Sequence, residues 1–217
     1  MNIMQKNRGQ VYPLFSKVVY QNIIDNLNFK KIVKDINDDF IDAGFFNKID
    51  VSNISMVSQN KNVLENKKFK KIKDRILKEF EYFNDHILKY ENKFKITTSW
   101  FTKTEKGKES NYHNHSNCMI SGVLYLQTDD KSGNINFIDY SNRRFKLKSK
   151  EYNLYNGMDF TFVPQNGLIL FFPSEMYHKI LINESDITRY SIAFNLVPYG
   201  DIGIKESDSY LNLKWKP

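Results

Sequence analysis

The apolar positions of this chain change period near residue 94. Upstream they recur at spacings of three and four, as on one face of a helix. Phe69, Ile72, Ile76, Phe80, Phe83, Ile87 and Tyr90 form the clearest such stripe. Charged residues fill the opposite face and neither proline nor glycine interrupts it, so a helix is predicted from about Val63 to Tyr90. His86 sits at the stripe's edge and reads as a structural or surface histidine. From Asn22 to about Ala43, Ile23, Ile24, Leu27, Ile32, Ile36 and Phe40 give a mixed helical spacing, with Gly44 as its stop. Val11 to Tyr20 reads as a strand that Pro13 confines to an edge or a strand start. Asn47 to Asn62 is polar and reads as loop.

Downstream of Phe94 the pattern becomes short strands. They are predicted at Lys95–Thr104, Cys118–Gln127, Asn134–Ile138, Asp159–Val163, Leu168–Phe172, Tyr177–Ile182 and Arg189–Val197. Lys106-Gly107, Asp129 to Gly133, Asn156-Gly157, Pro164 to Gly167, Pro173-Ser174 and Asn183 to Asp186 punctuate them as turns. Helices first and seven short strands afterwards predict an all-β core with packed helices (α+β). The architecture is a double-stranded β-helix, a cupin-like jelly roll, with N-terminal helices on one face. The chain reads as a single domain over 1–217: a mostly helical region 1–93, a jelly-roll core 94–200 and a tail 201–217.

Composition changes this picture little. The chain has 217 residues, 15% aromatic, enough for one full core and against disorder. The net charge is +7 and the pI near 9.2. Lys, Asn and Ile are abundant throughout and share A/T-rich codons, and the lysines are interleaved with acids. No aromatic-interleaved basic motif is present, so nucleic acid is an unfavoured partner despite the charge. The N-terminus has no apolar signal core, and the longest apolar run, Leu168 to Phe172, is far too short to span a bilayer. A soluble, cytoplasmic protein is expected, in the host cytoplasm if viral. The single cysteine, Cys118, excludes an intramolecular disulfide and reads as a small strand residue.

The candidate chemistry lies in the strand half. The chain has four histidines, and three fall in one pattern: His113 and His115 one residue apart, and His178 on a later strand. Residues i and i+2 of an extended segment point the same way, so two imidazoles aim at one place. A third from a neighbouring strand completes three ligands on a metal and leaves room for a chelating molecule. Imidazole suits Fe, Zn, Cu and Ni. Three neutral imidazoles leave the metal's charge uncompensated, which favours an anionic ligand such as the dicarboxylate 2-oxoglutarate. Its far carboxylate would want a bidentate cation, the role for which arginine is suited. Arg189 and Ser191 answer that need. In the last strand Arg189, Ser191, Ala193 and Asn195 share one face, and Tyr190, Ile192, Phe194 and Leu196 the other. Eleven residues and one turn separate His178 from Arg189, which lets their strands pair directly.

The segment from about Trp100 to Asn195 resembles the Fe(II)/2-oxoglutarate-dependent oxygenases, most closely a subgroup with many phage-encoded members. The resemblance rests on His113-Asn-His115, Ser121 to Leu126, Gly133 to Phe137, Phe172-Pro-Ser174, His178 and Arg189 to Asn195. It implies a double-stranded β-helix with iron at its open end. It also implies O2-dependent decarboxylation of 2-oxoglutarate to succinate, coupled to hydroxylation of a C–H bond. The superfamily usually has an Asp or Glu where this chain has His115. The third ligand is then His115, an open position, or Asp139, which also reads as a turn opener; His113, His115 and His178 are the favoured set. By the resemblance, Arg189 and Ser191 take the 2-oxoglutarate carboxylate. Tyr125 either adds its hydroxyl there or is a core aromatic. Asn117 and Asn195 are candidate hydrogen-bonders around the site, and Trp100 and Tyr112 candidate walls of the substrate mouth. Three other classes stay open: a three-histidine zinc hydratase or hydrolase, a three-histidine iron dioxygenase that chelates its substrate directly, and a jelly-roll binding module. The substrate is a small molecule or a peptide.

Overall fold

A computed structural model describes residues 9–43, 53–139 and 147–214. Two antiparallel sheets dominate it. The larger runs in the order β1 (Tyr20–Ile23), β8 (Leu168–Pro173), β5 (Ile120–Gln127), β10 (Arg189–Ile202), β4 (Lys93–Thr104), β3 (Met56–Ser58), β2 (Phe40–Asp42), with β11 (Leu211–Leu213) paired to the far end of β10. The smaller is β7 (Asp159–Phe162), β6 (Ile135–Ile138), β9 (Tyr177–Ile180). Two helices, α1 (Phe29–Lys34) and α2 (Lys70–Phe83), complete the regular structure among the described residues.

Period-2 alternation divides the apolar residues of the large sheet between two cores. Leu124, Leu126, Ile169, Phe171, Ile192, Phe194 and Leu196 face α2 and meet its stripe of Ile72, Ile76, Phe80 and Phe83. Val123, Tyr125, Leu168, Leu170 and Phe172 face the small sheet and pack on Ile135 and Phe137. This is the jelly roll: a helix outside, and between the sheets an interior that a ligand can enter. The faces of β10 follow the predicted division, with Ile192, Phe194 and Leu196 in the helix-covered core.

All seven predicted strands form, within a few residues of their expected bounds. The first half departs more. Val11–Tyr20 is not a strand: Pro13 lacks a donor, Phe15 adopts a left-handed φ of 57°, and pairing starts only at Tyr20, where β1 joins β8 as the edge of the sheet. Asn22–Ala43 is not one helix. Asn26 is left-handed at φ 60°, Asn28 caps a helix of only six residues, and Phe40–Asp42 extends to pair with β3. Gly44, the expected stop, lies outside the described residues. Asn47–Asn62 contains β3, which pairs with β2 and β4; positions 47–52 of that stretch lie outside the described residues. The long helix is largely right, but its α-helical part is Lys70–Phe83. Two 3-10 turns precede it, with Asn66 accepting from the Lys68 amide, and a π turn at Asn84–Leu88 ends it at left-handed Lys89. The π turn rotates the stripe off the core, which leaves Ile87 and Tyr90 about half exposed. The strands of His178 and Arg189 do not pair. β9 pairs with β6, and β10 with β4 and β5, so the eleven-residue link crosses from one sheet to the other.

Candidate functional site

His113 and His115 stand in an irregular segment, not on a strand as expected. Three backbone bonds hold it. The His113 amide donates to the His178 carbonyl at 3.0 Å, the His113 carbonyl accepts from the His178 amide at 2.9 Å, and the His115 amide donates to the Ser174 carbonyl at 2.9 Å. Extended backbone at these residues keeps the i, i+2 geometry without a ladder. One ligand atom from each of His113, His115 and His178 lies within 4.8 Å of the others. The rings of His115 and His178 stack nearly parallel at 5.2 Å, and Trp100 stacks on His115 at 5.6 Å.

The backbone also sets which nitrogens face inward. The Nδ1 of His113 donates to the Asn111 carbonyl at 2.8 Å, and that of His178 to the Met176 carbonyl at 2.9 Å. A carbonyl only accepts, so each Nδ1 carries its hydrogen and each neutral ring keeps its lone pair on Nε2. The Nε2 atoms of His115 and His178 approach to 3.3 Å. Burial pushes His115 down to about 4, helped by His113, and holds His178 well below its ordinary value. Both are neutral at pH 7, the state a metal requires. Three converging neutral imidazoles are a donor set that fits a divalent transition metal.

Arg189 faces the same interior. It is fully buried, and no carboxylate lies within ion-pair reach of it among the described residues. Its Nη1 donates to the Gly133 carbonyl at 3.0 Å and lies 3.5 Å from that of Ser132; its Nη2 donates to Thr104 Oγ1 at 2.9 Å. Its Nε has no partner, and neither has the Tyr125 hydroxyl beside it. The guanidinium centre lies 5.8 Å from the Tyr125 ring centroid. Burial raises the Tyr125 phenol to about 12 against the opposing pull of Arg189, so it keeps its proton. A buried cation without an anion costs several kcal/mol. A cavity of about 100 Å³ joins Arg189, Ser191 and Ala193 to the three histidines.

The structure therefore brings His113, His115, His178, Arg189 and Ser191 to one cavity. Trp100 backs His115, and Asn117 turns the chain after it at φ 59°. Asn195 accepts from Ser121 Oγ at 2.8 Å and donates to Thr98 Oγ1 at 3.0 Å, tying three strands beside the cavity. Tyr112 points elsewhere: its hydroxyl donates to Asn136 at 2.7 Å under the Lys179 ammonium, outside the small sheet. Asp139 lies outside the histidine group. Sequence reasoning missed Ala43, Ser55 and Val57, which precede the strand half and line the cavity, and Thr104, which bonds Arg189 from behind the wall. Thr104 was legible in principle, because an inward position of β4 must face Arg189 across the ladder.

A family model described as "Putative 2OG-Fe(II) oxygenase" matches residues 98–195, the stretch that holds all three histidines, Arg189 and Ser191. Over residues 98–195 this chain is similar to the 2OG-Fe(II) oxygenases. The cofactors of such an oxygenase are Fe(II), 2-oxoglutarate and O2. A sequence search of curated proteins gives no match. Solved structures share the oxygenase fold at low identity. One is a 2OG-Fe(II) oxygenase family oxidoreductase from Burkholderia pseudomallei, with TM-score 0.57 and 10% identity, covering 77% of this chain and 76% of that one. A second is the α-ketoglutarate-dependent epimerase SnoN of nogalamycin biosynthesis, with TM-score 0.62 and 10% identity over 88% and 82%. A third is HygX from Streptomyces hygroscopicus, solved with nickel, 2-oxoglutarate and hygromycin B, with TM-score 0.54 and 11% identity over 84% and 82%. No helix among the described residues is long and apolar enough to cross a membrane.

Proposed function

We propose that this oxygenase hydroxylates a C–H bond of a small-molecule or peptide substrate. One atom of O2 enters the product hydroxyl. The other enters the new carboxylate of succinate as 2-oxoglutarate loses CO2. The observation that carries the reading is Arg189: a fully buried guanidinium with no carboxylate partner among the described residues, in one cavity with three converging imidazoles. A zinc hydratase or hydrolase would need the histidines but gives that cation no counter-ion.

In this reading His113, His115 and His178 hold iron through their inward nitrogens. Bound iron supplies the activation of O2. Arg189 holds the far carboxylate of 2-oxoglutarate through its unused donors, and Ser191, on the same face of β10, donates a further hydrogen bond. Tyr125, protonated and buried, places its hydroxyl beside the same charge. Trp100 keeps one side of His115 dry. The three neutral ligands leave the metal's charge to be balanced by the anion, so metal and 2-oxoglutarate bind with positive coupling.

The test is a turnover assay against panels of peptides, amino acids, sugar and lipid precursors and nucleobases. The expected result is succinate formation that requires Fe(II), O2 and 2-oxoglutarate, with a product heavier by one oxygen atom. Zinc-supported turnover indifferent to 2-oxoglutarate would overturn the reading.

A further inference from the structure

We propose that Ser55 and Thr104 form a hydroxyl relay that aims the Arg189 guanidinium, and so set how tightly and selectively the cavity holds the far carboxylate of a 2-oxo dicarboxylate. The inference rests on the 2-oxoglutarate reading of the cavity.

The polarity of the relay follows from donor chemistry. A guanidinium only donates. Thr104 Oγ1, 2.9 Å from Arg189 Nη2, must therefore accept from it and send its own hydrogen elsewhere. Ser55 Oγ stands 2.9 Å from Thr104 Oγ1. Ser55 Oγ is also 2.9 Å from the Glu109 carbonyl, which only accepts, so the Ser55 hydrogen is committed there and its lone pair is left for Thr104. Every hydrogen in the chain Arg189–Thr104–Ser55–Glu109 points away from the guanidinium. Such same-direction chains strengthen each member. Arg189, Thr104 and Ser55 are all buried, so water does not compete for these bonds.

The other half of the clamp is the Gly133 carbonyl on Nη1, with that of Ser132 at longer range. Arginine has five N–H donors, and these contacts leave the Nε hydrogen and one terminal hydrogen for an anion. Which hydrogens remain, and where they point, depends on the Thr104 bond staying in place. Ser55 is fixed in turn by backbone: its amide donates to the Glu109 carbonyl at 2.8 Å, and its carbonyl accepts from Ala43 at 3.0 Å. It lies outside the matched segment 98–195. Beside Ala43 and Val57 in the cavity wall, Ser55 thus links the N-terminal half to the arginine through its bond to Thr104.

The test is an anaerobic calorimetric titration of Fe(II)-loaded protein with 2-oxoglutarate and with 2-oxobutanoate, which lacks the far carboxylate. Thr104→Val is expected to weaken 2-oxoglutarate roughly tenfold or more, and Ser55→Ala about threefold to tenfold. Neither should change 2-oxobutanoate by more than about twofold, and Thr104→Ser should restore 2-oxoglutarate to near the parent value. A merely structural role would weaken both acids together, and that result, or unchanged 2-oxoglutarate affinity in Ser55→Ala, overturns the relay. Should Thr104→Val fail to fold, Ser55→Ala decides alone. Loss of 2-oxoglutarate in Arg189→Ala but not in the relay variants removes the relay only; no loss in Arg189→Ala removes the underlying reading as well.

Discussion

At the scale of single residues, a buried charge asks what balances it. Arg189 has carbonyls and a hydroxyl around it and, among the described residues, no carboxylate. Replacing it with alanine should weaken 2-oxoglutarate binding by about 2–5 kcal/mol, because the ligand's carboxylate would then be buried unpaired. Arg189→Lys should recover little of this, since an ammonium cannot reproduce the fork. Equal affinity in Arg189→Ala would strip the residue of its assigned role. The histidines and Arg189 were legible in the sequence because an extended backbone sorts side chains by parity, whatever the sheets around it do. Ser55 was not, and Thr104 only through its ladder position opposite Arg189. Serine and threonine are unremarkable in any strand or loop, and these two meet only because the chain closes a 49-residue separation between them.

At the scale of elements, β10 does most to organise the molecule. Its odd-numbered residues from Arg189 to Asn195 present polar groups to the interior, and its even-numbered ones present Ile192, Phe194 and Leu196 to α2. Gly122, its neighbour on β5, lets the Phe194 ring approach. A Cβ there would overlap that ring and stand 2.8 Å from the Leu170 carbonyl. Gly122→Ala should therefore destabilise by about 1–3 kcal/mol, read from a lowered urea midpoint at unchanged m-value. Unaltered stability would show that the contact is slack. α2 and the seven strands of the jelly roll were readable, the short β6, β7 and β9 because turn signals bracket them. β1, β2, β3 and β11, three or four residues long and outside that punctuated stretch, were not; they exist because an edge or a partner segment receives them. The direct pairing expected of β9 and β10 failed for a different reason. Sequence separation allowed a hairpin, but β9 belongs to the small sheet, with Ile180 packed in the core between the sheets, while β10 belongs to the large sheet and turns its apolar face to α2.

At the scale of the whole molecule, the two sheets leave a cavity with metal-type donors at one end and a cation at the other. Its walls come from both halves of the chain, so the region before residue 98 is part of the site and not only a cover for the sheet. Linked binding follows: each of Fe(II) and 2-oxoglutarate should bind more tightly when the other is present. The direct measurement is an anaerobic titration of the metal-free protein with Fe(II), with and without 2-oxoglutarate, followed by visible absorption. The expected result is a weak charge-transfer band that needs both components and saturates at one equivalent of each. A protein that retains zinc and gives no band with Fe(II) and 2-oxoglutarate together would contradict it.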